Sequence, residues 1–363
     1  MEVKNTVIEK VCAAFIKGAC VEEIENIPNG HINVTDRVKV NGRNYILQRI
    51  NTNIFRDPVG LIGNISSVTE FLREKIKAAG GDPDRETLSL VKTLDGKYTY
   101  EDESGLYRMY LFITDATCYN KAEKAGMFGE SAKAFGRFQN LLADFNAKSL
   151  SETIKDFHNT PVRFKNFENA LNANKAGRKD ECAPEIEFYL SKKDYCPTIT
   201  ERLADGRLPT RVTHNDTKLN NVMIDNATGS GICVIDLDTV MPGSMLYDFG
   251  DSIRFGASSA AEDEKDLDKV YCVPALYEEY VSGFLSEMKD SITDEEVKLL
   301  HDGAIMMTLE CGMRFLTDYL EGDTYFRTHY AGQNLDRART QMKLVQDMEA
   351  RRDEFEAIIK KYI

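Results

Sequence analysis

The stretch R-V-T-H-N-D-T-K-L-N-N-V-M-I-D, residues 211–225, decides the reading of this chain, together with V-I-D-L-D-T-V at 234–240. A polar cluster (His214, Asn215, Asp216, Lys218, Asn220, Asn221) runs directly into the apolar trio Val222, Met223 and Ile224. N-A-T-G-S-G at 226–231 supplies a turn, and Ile232 to Leu237 reads as a second buried strand interrupted by Asp236. The pattern predicts a β-hairpin with ionisable groups at its open end.

Asp216, Asn221 five positions later, and Asp236 on the neighbouring strand form a set of hard oxygen donors. Such oxygens suit Mg²⁺, which keeps waters and shares its other positions with phosphates. Phosphoryl transfer needs that set and an aspartate facing the attacking hydroxyl. The protein-kinase catalytic loop has the same spacing from Asp to Asn and a later metal-binding Asp. On that pattern Asp216 orients or deprotonates the acceptor hydroxyl, while Asn221 and Asp236 hold Mg²⁺. Each residue alone also fits a solvated turn; their joint spacing beside two apolar strands favours the chemistry.

At 363 residues the chain has room for two packed lobes. Its 42% hydrophobic and 29% charged residues are ordinary for a globular protein. A net charge of −13 argues against nucleic-acid or anionic-membrane partners, so bound ATP would need local Lys or Arg. Eight cysteines without a C-x-x-C pair read as free thiols in a reducing cytoplasm. No basic segment leads into an apolar one at the N-terminus, and no run approaches about 18 apolar residues. A cytoplasmic location is the expectation.

In chain order, Val7, Val11, Ala14 and Phe15 predict a helix closed by Gly18. Residues 24–47 change to strand–turn–strand around Asn41-Gly42. The segment Asn29 to Thr35 is a candidate to lie over a nucleotide, or a plain turn. Gln48 and Arg49 end the next strand. Arg49 either reaches the α/β-phosphates or faces solvent. Leu61, Ile65, Val68 and Leu72 predict an amphipathic helix closed by Gly80-Gly81, whose Glu70 or Glu74 would pair with Arg49 or lie on the wet face. Residues 88–94, 97–101 and 106–113 read as three more strands. The last becomes continuously apolar, and the main chain of Leu111, Phe112 and Ile113 would hydrogen-bond adenine.

Beyond Asp115 the texture is helical, giving an α+β chain with a β-rich lobe at 1–112 and a larger helical lobe at 113–363. Ala132, Phe135 and Phe138 mark a core helix, His158 to Phe167 reads as a loop, and Pro184 opens another helix. In M-P-G-S-M-L-Y-D-F-G-D-S-I-R-F-G-A, Asp248 or Asp251 is expected to bond back to the catalytic loop. Pro274 to Met288 is amphipathic, and Thr293-x-x-Glu296 is a capping box opening a helix to about Tyr319. Arg314 and Asp318 share a helix face, either as an ion pair or as part of a pocket gripping sugar hydroxyls.

T-H-N-D-T-K-L-N-N followed by V-I-D-L-D-T resembles the phosphotransferases grouped with aminoglycoside kinases and choline kinases, although those often carry H-G-D where this chain has Asn215. Longer pieces, G-H-I-N (30–33), Y-I-L-Q-R-I-N (45–51), A-F-G-R-F-Q (134–139) and E-C-G-M-R-F-L-T-D-Y-L-E-G-D (310–323), are similar to kinases of N-acetylhexosamines. The resemblance implies a two-lobed protein-kinase-like fold and ATP- and Mg²⁺-dependent phosphorylation of the anomeric hydroxyl of N-acetylglucosamine or N-acetylgalactosamine. It makes Asp216 the catalytic Asp, Asn221 and Asp236 metal ligands, and His31, Arg314, Tyr325 and Phe255 neighbours of the sugar. Gln48 and Arg49 stand where a phosphate-binding Lys is expected. Kinases of other small alcohols, such as choline, share the core and differ in the 310–326 region.

Overall fold

The computed structural model describes residues 2–28 and 32–363; His31, with Asn29 and Gly30, lies outside them. The chain divides into two compact units. The first holds residues 1–117, 148–154 and 223–241, and the second holds the rest.

The first unit carries helix α1 (Glu2–Phe15) and strands β1 (Val21–Ile27), β2 (Val34–Val40), β3 (Arg43–Ile50), β4 (Tyr100–Asp102) and β5 (Gly105–Leu111). They form an antiparallel sheet in the order β1-β2-β3-β5-β4. As expected, Asn41-Gly42 turns β2 into β3: both residues have positive φ (51° and 78°), as a two-residue hairpin loop of matching twist requires. Ile8, Val11, Cys12 and Phe15 of α1 pack on Val38, Val40, Leu47 and Met109 of the sheet. Each such buried side chain contributes roughly 1.5–3 kcal/mol. Helix α2 (Pro58–Ala78) starts at Asp57, whose carboxylate accepts the Gly60 N–H at 2.9 Å, and buries Leu61, Ile65, Val68, Leu72 and Ile76.

The expected strand at 88–94 is not formed. Leu90 makes one isolated bridge to Tyr110, and Thr93 Oγ instead closes a local turn, accepting the Lys97 N–H at 3.0 Å. Side-chain bonding of this kind competes with the ladder. A short helix α3 (Pro83–Glu86) precedes this segment. Strands β6 (Ala116–Thr117), β8 (Val222–Asp225) and β9 (Gly231–Val234) make a three-stranded sheet in the order β6-β8-β9, so the expected hairpin is present. It joins the first unit because Ala116 and Thr117 pair with Asp225 and Ile224, Arg85 meets Asp225 at 3.0 Å, and Asn64 donates to the Val240 carbonyl at 2.9 Å.

The second unit is built from helices α4 (Met127–Leu141), α5 (Thr160–Ala173), α6 (Ala183–Ser191), α7 (Thr198–Ala204), α8 (Met245–Gly256), α9 (Pro274–Met288), α10 (Asp294–Lys298), α11 (Leu300–Glu321), α12 (Gln333–Ala350) and α13 (Arg352–Lys360). It also carries strand β7 (Arg211–Thr213), paired with β10 (Met241–Gly243) where the chain re-enters the unit. The loop expected at 158–167 is corrected to a helix start. Asn159 caps α5 by accepting the Val162 N–H, and Pro161 occupies its first turn, where a missing N–H does no harm. The capping box at Thr293 and Glu296 is formed, but Leu299 separates α10 from α11. Helix α8 crosses α11 closely at Gly250 and Gly303; a Cβ on Gly303 would stand 2.7 Å from the Leu246 carbonyl oxygen.

That crossing fixes Asp248, which is fully buried. Its carboxylate accepts the main-chain N–H groups of His214 and Asn215, each at 2.8 Å, and Nε2 of Gln139 at 2.7 Å. Asp251 accepts the Thr217 N–H at 3.2 Å, so both expected carboxylates bond back to the loop. Between them Asn215 has φ 66°, the left-handed region open to Gly and tolerated by Asn.

Of the eight cysteines, five are buried. Among the described residues no helix is long and apolar enough to cross a membrane.

Two expectations can be measured. Asn215→Gly should keep stability within about 1 kcal/mol, whereas Asn215→Val should lose roughly 1–2 kcal/mol or more, read by urea unfolding. His301, 1% exposed, is held neutral with its pKa pushed down to about 4, chiefly by burial; its Nε2 lies 3.0 Å from the Met348 carbonyl and its Nδ1 3.2 Å from Tyr277. The folded form therefore binds this proton less well than the unfolded chain. Stability from neutral His301 is complete above its unfolded pKa near 6.5 and is lost as pH falls towards 4. His301→Gln should flatten the fall in melting temperature over that window by the equivalent of roughly 3 kcal/mol.

Candidate active site

In the second unit, Asp216 follows the loop that Asp248 holds. Its Oδ1 lies 2.7 Å from Lys218 Nζ, and Asn221 Nδ2 donates to its Oδ2 at 3.1 Å and to its main-chain oxygen at 2.8 Å. Because the amide nitrogen faces these acceptors, Asn221 Oδ1 is directed away from Asp216, the oxygen a hard cation would take. His214 is buried edge-on to Phe135 and Phe138, and its Nδ1 accepts the Asp216 N–H at 3.2 Å. Sequence reasoning thus brings Asp216 and Asn221 together correctly as neighbours.

A chain of charges extends from Asp216. Burial works to lower the Lys218 pKa, but the Asp216 and Asp251 carboxylates outweigh it and hold the ammonium above its ordinary value. Burial likewise pushes Asp251 up, yet Arg254 at 3.0 Å and Lys218 keep it below the usual carboxylate range. His158 also acts on Asp251 and meets Glu310 at 2.8 Å, while Thr160 donates to the same Glu310 at 2.6 Å.

Arg314 and Asp318 do not pair. The Asp318 carboxylate, 2% exposed, accepts three successive N–H groups, from Thr324, Tyr325 and Phe326, at 2.8–2.9 Å. It shapes the loop after α11. Arg314 instead lies among the rings of Phe157, Tyr325 and Phe326, 5.4–5.9 Å from each centroid, and has no carboxylate within ion-pair distance among the described residues. Tyr325 is 71% exposed. Phe255 is partly exposed beneath Arg254.

In the first unit, β9 stops at Val234, short of the expected strand end at Leu237, and Asp236 lies two residues beyond it in a left-handed conformation (φ 61°), leading into a turn at 237–239. Gln48 and Arg49 point to opposite faces of β3. Arg49 is exposed, with its stem against Gly105 and Nη1 3.5 Å from the Ser104 oxygen. Gln48 shares a face with Arg108, opposite it on β5, and accepts its Nε–H at 3.0 Å. Arg108 is 1% exposed and reaches Asp238 at 2.6 Å. Burial works to lower its pKa, but Asp238, and more weakly Asp236, outweigh it. Glu70 bonds Tyr98 rather than Arg49. The Leu111 N–H donates to the Ser89 carbonyl at 2.9 Å, so this group is already engaged. Phe112 packs under Arg37, and Ile113 is buried.

Arg108, Asp238, His158 and Glu310 were not singled out from sequence. A signal existed for Arg108: a lone charge inside the apolar strand Y-R-M-Y-L needs a buried partner. The other three lie far in sequence from the groups they meet.

The sequence profile described as the phosphotransferase enzyme family matches residues 23–281. Among solved structures, the chain is similar to a microcompartment-associated aminopropanol kinase, with 15% identity, a TM-score of 0.62 and 97% of this chain and 98% of that one covered. It is also similar to a spectinomycin phosphotransferase solved with ADP and spectinomycin (13% identity, TM-score 0.60, 96% and 98% covered). A choline kinase from Cryptosporidium parvum Iowa II gives 14% identity, a TM-score of 0.58 and 99% coverage of each chain. At these identities the likeness is one of fold, and the fold is the protein-kinase-like one expected. The profile match spans well over half of the chain and falls on the held loop, Asp216, Asn221 and Asp236 alike: this protein belongs to the phosphotransferase enzyme family.

Proposed function

We propose that this chain uses ATP to phosphorylate the anomeric hydroxyl of N-acetylglucosamine or N-acetylgalactosamine, giving the sugar 1-phosphate. The observation that carries the choice of acceptor is Arg314. Recognition of a quaternary ammonium such as choline calls for an aromatic cage. Here the rings of Phe157, Tyr325 and Phe326 already surround the chain's own guanidinium. A cationic acceptor would meet like charge there, whereas the hydroxyl and N-acetyl oxygens of a neutral sugar would meet N–H donors. The exposed Tyr325 ring supplies a surface for the apolar face of a sugar ring.

Asp216 would receive the hydrogen bond of the attacking hydroxyl. An anomeric hydroxyl is more acidic than an ordinary alcohol, so orienting it matters more than removing its proton. Lys218, 2.7 Å from its Oδ1, holds Asp216 in place. Asn221 Oδ1 and the Asp236 carboxylate are hard oxygens that fit Mg²⁺, which when bound neutralises phosphate charge. Gln48 and the main chain of Leu111 to Ile113 are the proposed nucleotide contacts, the remaining polar groups of that strand end serving where the Leu111 N–H is engaged.

Phosphorus NMR on incubations with ATP, Mg²⁺ and each N-acetylhexosamine tests the reading. A phosphomonoester coupled to the anomeric proton is expected; phosphate at C6, or none, overturns it. Asp216→Asn should lower kcat by about 10²–10⁴-fold with nearly unchanged ATP affinity, and undiminished turnover would remove Asp216 from its role. Arg314→Met should raise KM for the sugar by roughly tenfold or more while KM for ATP moves by less than about twofold; steady-state kinetics with each substrate varied in turn reads the split.

A further inference from the structure

We propose that Arg108 supplies from β5 the buried positive charge that protein kinases place on strand β3, and that it acts as a positioning residue on Asp236 through Asp238. The proposal rests on the phosphotransferase reading and not on the choice of acceptor. In protein kinases a β3 lysine, held by a helix glutamate, serves the phosphates. Neither partner is in place here: β3 offers Gln48 and Arg49, Arg49 faces away over Gly105, and Glu70 of α2 is bonded to Tyr98. The position facing Asp238 is taken by Arg108 and Gln48 together.

Asp238 is the point on which the unit's polar contacts converge. Its Oδ1 lies 2.6 Å from Arg108 Nη2, and its Oδ2 accepts Nδ2 of Asn33 at 2.5 Å. Asn33 in turn accepts the Asn51 N–H at 2.9 Å, at the end of β3. Gln48 links Arg108 to Thr35 Oγ1 at 3.0 Å. Strands β2, β3 and β5 are thereby tied to Asp238 in the turn at 237–239, two residues beyond Asp236. Asp236 itself holds a left-handed backbone (φ 61°), a conformation that Asp tolerates better than most residues with a Cβ.

Packing alone does not explain the pair. Arg108 and Asp238 are 1% and 5% exposed in their side chains, and apolar residues of similar volume generally serve stability as well as a buried ion pair does. Arg108 Nη1 is moreover buried with no hydrogen-bond partner among the described residues, a defect that a purely structural site would shed. Kept charge and an orphan donor beside the Asp236 turn point to placement of that carboxylate. Groups that orient a metal ligand in this way change metal affinity by about 10–100-fold when altered.

The test measures binding without any acceptor, so it does not depend on the sugar. Two proteins are compared with the unmodified chain: the double variant Arg108→Met/Asp238→Asn, which removes both charges at near-constant volume, and Arg108→Lys, which keeps the charge and loses the fork. Thermal melting reports packing, and electron paramagnetic resonance of free Mn²⁺ in the presence of ADP reports the metal–nucleotide complex. The double variant should melt within a few degrees of the parent yet bind Mn²⁺·ADP about tenfold or more weakly, with metal-free ADP affinity changed by less than about twofold. Arg108→Lys should fall between them. Parental Mn²⁺·ADP affinity in the folded double variant overturns the proposal, as does an equal loss with and without metal. Should the double variant not fold, parental affinity in Arg108→Lys overturns it. Failure of the unmodified protein to bind ADP would instead overturn the phosphotransferase reading beneath it.

Discussion

A carboxylate with no access to water holds the loop that leads to Asp216. Asp248 is fully buried, and burial raises its pKa, yet its two oxygens gather the His214 and Asn215 N–H groups and the Gln139 amide. An unpaired carboxylate in such a place would be strongly destabilising. Satisfied by three donors, it becomes a rigid anchor, and the anchor sets everything that follows it in the chain: the left-handed turn at Asn215, the direction of Asp216, and Thr217, which bonds back to α8. Gly250 and Gly303 let α8 approach α11 closely enough to keep that anchor dry. A larger residue at either crossing would push Asp248 and the loop away together.

Two arginines use the same physics for opposite ends. Arg314 is set among three rings, with no carboxylate within ion-pair distance among the described residues. Arg108 is sealed against Asp238 and acts inward, on the turn that carries Asp236. Asp318, one turn further along the helix, is withdrawn from ion pairing because three main-chain N–H groups claim it, and Glu310, one turn before, is engaged by His158 and Thr160. That withdrawal leaves the guanidinium to the rings. In a sequence with a net charge of −13, keeping one arginine unpaired takes a specific arrangement of its neighbours.

Much of this was legible before any coordinates. Period-two and period-three-to-four patterns located α1, the β2–β3 hairpin, α2, α4 and α9, because apolar spacing reports which face is buried wherever one face dominates. The failures have local causes. At 88–94 the apolar run suggested a strand, but Thr93 captures its own turn. At 158–167 His-Asn-Thr-Pro read as a loop, although Asn before Thr-Pro is also how a helix begins. The i,i+4 relation of Arg314 and Asp318 marked a shared face and nothing about which partner each would choose.

The sequence by itself determined the α+β class, the hairpin bearing Asp236, the adjacency of Asp216 and Asn221, and the return of Asp248 and Asp251 to the loop. All of these depend on local spacing or on motifs carried intact within a short stretch. Only the tertiary structure decided which of Gln48 and Arg49 shares a face with Asp238, that Arg108 is the buried cation, that His158 meets Glu310, and that Arg314 belongs to rings from residues 157, 325 and 326. Those pairings join residues many positions apart. Their energies come from desolvation and from the sum of surrounding charges, quantities that exist only once the chain has closed around them.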